Sequence, residues 1–237
     1  MRTPILLLLL LAGCAHPQTA AWRGKQADLK VADVAMESGA PAMALSVAQG
    51  ILAKDPANAP ALVREGNALY SLNRTTEAAD AYQRALAIEP RNPQALVGLA
   101  RVRLADDPAS AERLLRKAVE DDPRNAAAQN DLGIARDLQG HHREAQDAYR
   151  RALAANPALT AAQVNLGLSL ALGGDAPRGV AMLRPLVAEG ASPRVRQDLA
   201  AALVLNGQTD QAERLLGADL TQPEVAEAVM GYSALRP

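Results

Sequence analysis

One phrase returns along this chain at a fixed interval. Glu77-Ala78, Tyr82, Ala85 and Pro90 are repeated, at the same internal spacing, by Glu144-Ala145, Tyr149, Ala152 and Pro157. The prolines Pro56, Pro90, Pro123 and Pro157 stand 34, 33 and 34 residues apart. Proline cannot continue a helix, so each of them closes one unit and opens the next. Between the prolines, small residues recur in register. Gly66, Ala100, Gly133, Gly167 and Ala200 fall in a first helix, and Ala44, Ala78, Ala111, Ala145 and Ala212 in a second. Two short helices cannot bury an apolar face alone, so the units must stack.

Six units begin near Lys25, Ala59, Pro93, Ala126, Thr160 and Pro193. Gly39, Asn73, Gly140, Gly174 and Gly207 stand at one register position in five of them. Glycine and asparagine tolerate the left-handed conformation that ends a helix, so the first helix closes there. The third unit has Asp106-Asp107-Pro108 instead, which places a one-residue deletion in its turn. The small residues predict a close approach of paired helices, with leucines such as Leu62, Leu69, Leu99 and Leu132 filling the gaps. Gly179 and Pro185 predict an interrupted second helix in the fifth unit. Residues 224–235 read as a last, capping helix, with Glu224 and Glu227 opposite Val225, Val229 and Tyr232.

A period of about 34 residues built from helix pairs resembles the tetratricopeptide (TPR) repeat. The resemblance covers residues 25–220 and is fullest in units two, four and six. It implies an all-α TPR solenoid, a right-handed superhelix of about six helix-turn-helix repeats, with a C-terminal capping helix and tail over 221–237.

The chain starts with Arg2 and an apolar run from Ile5 to Leu11. The run is too short for a permanent membrane span and reads as the core of a signal peptide. Leu11-Ala12-Gly13-Cys14 follows, and Cys14 is the only cysteine in the chain. A lone thiol in an oxidising compartment has no disulfide partner within the chain. The stretch resembles a bacterial lipoprotein signal. That resemblance implies loss of residues 1–13, a covalent lipid on Cys14 and a tether over 14–24. Ala15, in place of aspartate, implies an anchor on the periplasmic face of the outer membrane. The plainer alternative is an ordinary secretory signal with a chance cysteine.

A net charge of −1 and the absence of basic runs argue against a nucleic-acid partner. The chain shows no glycine-rich phosphate loop and no distinguishable acid–base pair. His141 and His142 are adjacent, point apart on a helix and have no third ligand nearby, so they read as an exposed turn rather than a metal site. No enzyme and no cofactor beyond the lipid are expected. Function then falls to the concave face, which the resemblance to TPR proteins implies is lined by first helices. Its candidates are Asn67, Arg101, Asn130, Ile134, Val164, Asn165, Leu168, Gln197 and Ala201. Asparagine amides can read a partner's backbone, and the apolar residues can receive an anchor side chain. The alternative is that the asparagines tie neighbouring helices together.

The stretches Arg194 to Leu203, Glu213 to Leu216 and Ala218 to Leu220 are similar to the end of TadD-type proteins, lipoproteins of the tight-adherence (Flp) pilus system. That resemblance implies a pilotin, which binds a secretin or another pilus-assembly subunit and escorts it to the outer membrane. A scaffold for peptidoglycan hydrolases or outer-membrane assembly factors is the second reading. An enzyme built around His141 and His142 is the third. Tyr232 or Trp22 would serve a homodimer, or else cover exposed ends.

Overall fold

The computed structural model describes residues 28–188 and 192–235. The expected signal segment, Cys14 and the tether lie outside the described residues. Within them the chain is helical throughout, with no strand. α1 covers 28–37, followed by α2 (Pro41–Leu52), α3 (Ala59–Ser71), α4 (Thr75–Ile88), α5 (Pro93–Arg103) and α6 (Pro108–Asp121). Then come α7 (Ala126–Asp137), α8 (His142–Ala155), α9 (Thr160–Leu172), α10 (Ala176–Ala188), α11 (Pro193–Leu205), α12 (Thr209–Leu216) and α13 (Gln222–Ser233). Among α2 to α13, every contact joins helices no more than two places apart in the chain. This is a solenoid of six helix pairs with α13 packed on α11 and α12.

The turns form as their residues dictate. Gly39, Asn73, Gly140, Gly174 and Gly207 all have positive φ, from 59° at Asn73 to 91° at Gly174. Each is followed by an amide that reaches back five residues, as in Arg74 N–H to the Leu69 carbonyl at 2.9 Å and His141 N–H to the Arg136 carbonyl at 2.9 Å. This is the Schellman closure. The third unit has no left-handed residue. Its helices open at Pro93 and Pro108, one residue closer than Ala59 and Thr75, so the deletion lies in that turn. Asp107 caps α6 there by accepting from Ser110 N–H at 2.9 Å. Asn58, Asn92 and Asn125 cap α3, α5 and α7 in the same way, each at 3.0 Å.

Two expectations need correction. In the second and fourth units the small residues do not bring helix backbones together; they admit an aromatic ring. A Cβ on Gly66 would lie 2.6 Å from the Tyr82 ring, and one on Gly133 would lie 2.3 Å from the Tyr149 ring. In the fifth unit the backbones do meet: a Cβ on Gly179 would fall 2.5 Å from the Gly167 carbonyl oxygen. Pro185 does not end α10, which continues to Ala188. Pro185 is exposed, and so is Ala181, whose carbonyl loses its helical donor on the solvent side of the helix.

α13 buries Val225, half-buries Val229 and Tyr232, and exposes Glu224 and Glu227. Glu224 also accepts from the Thr221 N–H at 2.8 Å, which fixes the start of the helix.

Candidate partner-binding groove

Residues three and four apart share one helix face. On α1 these are Asp33, Met36 and Glu37, on α3 Arg64, Asn67 and Tyr70, and on α5 Gln94, Val97 and Arg101. Together with the start of α7 they line an open groove of about 650 Å³. A polar ladder links successive first helices along it. Arg64 Nη2 donates to Asp33 Oδ2 at 2.7 Å, and Arg101 Nε donates to Asp131 Oδ2 at 2.6 Å. The rung between them is missing, because α5 carries Gly98 at that register.

Tyr82 from α4 fills the gap. A Cβ on Gly98 would lie 2.3 Å from its ring, so only glycine leaves room. The ring passes between α3 and α5, and its hydroxyl donates to Asn67 Oδ1 at 2.7 Å. Burial raises the Tyr82 pKa, which keeps the phenol protonated as a donor. Asn67 is thus oriented with its Nδ2 toward solvent. Among the described residues, that amide, the Gln94 side chain and the Glu37 carboxylate have no partner. They can read a peptide backbone and one positive charge.

Of the nine expected contact residues, Asn67 and Arg101 line this groove. Asn130 is buried and accepts from Asn165 Nδ2 at 2.9 Å, which joins α7 to α9. Val164 is buried in the core of the last two units. These two are corrected to structural roles, because both side chains are buried against neighbouring helices. Ala201 is buried as well. Ile134 packs half-buried against Tyr149 and Leu166. Leu168 and Gln197 are half-buried outside the groove.

A second polar cluster escaped the sequence reading. Asp137, at the end of α7, accepts from Tyr149 Oη at 2.9 Å, Ser169 Oγ at 2.8 Å and His142 Nδ1 at 2.8 Å. Burial pushes its carboxyl above the ordinary aspartate value, although all three hydrogen bonds pull the other way. His142 is therefore half-buried and bound, and only His141 is exposed in the turn. The signal in the sequence was Asp137 five residues before His142 and twelve before Tyr149, a separation that only the helix-pair geometry brings together.

Comparison with known proteins agrees with this geometry. A family model described as "TPR repeat" matches residues 66–106, and one described as "Tetratricopeptide repeat" matches 98–140 and 134–193. Together they run from 66 to 193, more than half of the chain. A probable UDP-N-acetylglucosamine–peptide N-acetylglucosaminyltransferase SPINDLY of Hordeum vulgare is 33% identical over 126 residues, which are 50% of this chain and 13% of that protein. The chain thus spans about one-eighth of that relative's length. Among solved structures, PilW, titled a widely conserved type IV pilus biogenesis factor, superposes with a TM-score of 0.75 at 20% identity over 87% of this chain and 98% of that one. PilF of Pseudomonas aeruginosa gives 0.73 at 15% identity over 91% and 99%. TTC0263 of Thermus thermophilus gives 0.60 at 25% identity over 75% and 98%. At these identities the likeness to PilW and PilF is one of fold.

Proposed function

Since the chain belongs to the tetratricopeptide-repeat family, we propose that it is a protein-binding adaptor of the TadD type. It is exported, anchored through lipidated Cys14 on the periplasmic face of the outer membrane, and holds a segment of a pilus secretin in the groove around Asn67 and Arg101. The observation that carries the adaptor reading is the missing rung at Gly98, which leaves the Asn67 amide oriented and exposed in an open groove. The pilus assignment is supported by the near-complete coverage of PilW and PilF and by the resemblance of the C-terminal stretches to TadD-type proteins. The anchor is supported by Leu11-Ala12-Gly13-Cys14. A scaffold for envelope hydrolases is the second reading.

The test is in vivo crosslinking followed by purification from membranes. Recovery of a secretin, lost in Asn67→Arg, supports the reading. Recovery of hydrolases without a secretin moves the protein to the scaffold class. In Cys14→Ser the chain should fold but leave the membrane fraction, with the secretin mislocalised. Normal secretin assembly in that variant would sink the pilotin assignment.

A further inference from the structure

The outer face of the first unit carries an apolar groove of about 360 Å³ between α1 and α2, lined by Val31, Val34, Ala35 and Met43. Val31 is 50% exposed, Val34 59% and Met43 58%. Their register equivalents tell what such a face is for. The counterparts of Val31 include Leu132, Leu166 and Leu199, and those of Val34 include Ala68, Ala135, Ser169 and Ala202; all of these are buried. In those units the second helix of the unit before packs on the first helix that carries them. The groove on α1 is therefore a helix seat that no described residue fills.

We propose that the chain's own segment 15–27 folds back over this seat and places Trp22 in it. The segment enters α1 directly, so its effective concentration at the groove is high. Trp22 lies six residues before Asp28, a reach of up to about 20 Å, whereas α1 advances only about 9 Å from residue 28 to Val34. Gly24 lies between them and permits the reversal. Later units bury a large ring at the matching seam, Tyr82 and Tyr149, and Trp22 is the only large apolar aromatic the segment offers. The seat does not depend on acylation of Cys14.

Trp22 is the sole tryptophan, so its fluorescence reports the contact directly. The test uses residues 14–237 carrying Cys14→Ser, which lack the apolar run from Ile5 to Leu11 and need no detergent. Blue-shifted emission and weak acrylamide quenching are expected at low micromolar concentration, in a monomer. Val34→Glu and Val31→Glu, both at exposed sites, should shift the emission red and raise quenching several-fold with unchanged circular dichroism. Emission of a fully hydrated indole in the starting protein overturns the proposal. So does shielding that both variants leave intact, shielding that appears only on dimerisation, which assigns the seat to a second copy, or shielding that appears only with phosphatidylethanolamine–phosphatidylglycerol vesicles, which assigns it to lipid.

Discussion

Tyr82 ties the core of the second and third units to their groove. Its ring is almost fully buried between Gly66 and Gly98, while its hydroxyl holds Asn67. Gly98→Ala gains up to about 1 kcal/mol of helix propensity. It also forces a methyl into the ring, an overpacking that costs about 1–3 kcal/mol. We therefore expect net destabilisation, measured by urea unfolding and relieved by adding Tyr82→Leu. Tyr82→Phe keeps the packing and should cost only about 1 kcal/mol, the typical worth of one hydrogen bond. The pH dependence is set by carboxylates of opposite sign. Asp137 is raised above 3.8 in the fold, so its contribution is fully favourable below that value and is lost as pH rises through the raised one. Asp121 and Asp219 are held below 3.8 by Arg91 and Arg196, so their contributions are present above 3.8 and fade as acid titrates them. Asp137→Asn should therefore gain stability relative to the starting protein as pH rises from 3.8 toward neutrality. A pH-independent difference would rule this out. The glycines were legible in the sequence as a repeat; their purpose was not, because a gap in register does not say whether a backbone or a ring fills it.

The turns show how far a single helix end can be reasoned about alone. A Cβ at Gly140 would meet nothing within 4 Å, and the residue sits at φ 76°. Gly140→Ala should therefore cost about 1–2 kcal/mol through backbone strain only. Asn73→Gly, at φ 59°, should stay within a few tenths of a kcal/mol or stabilise slightly, since asparagine already tolerates that region. Thermal unfolding of the two variants separates these outcomes, and equal losses would contradict the account. These closures were readable because they depend on one residue and its own φ. The asparagine caps at 58, 92 and 125 follow nearly the same period and could have been read the same way. Pro185 could not. Its effect depends on whether the freed carbonyl at Ala181 reaches water, which only the packed helix decides.

The solenoid itself was legible because its period, its turns and its buried small residues all repeat. The groove was less so, because its ladder rests on pairs about one repeat apart, Asp33 with Arg64 and Arg101 with Asp131, whose sides are set by how the units stack. Opposite charges at that separation are their sequence signal; the pattern of one helix alone does not distinguish the groove from the buried contacts that hold Asn130 and Val164. The same stacking makes stability local. Contacts among α2 to α13 reach no further than the second neighbour, so the units behave as a nearly one-dimensional array. Val225 of α13 is 3% exposed and lies in one buried cluster with Leu203 and Leu216. Val225→Asp places an unpaired charge there, which should cost well above the roughly 1 kcal/mol of an ordinary substitution and undock α13. Hydrogen exchange should then quicken in α11 and α12 and remain unchanged in α3 to α6. Loss of protection spread evenly over all units would mean that the array unfolds as one body, and the nearest-neighbour account would fail.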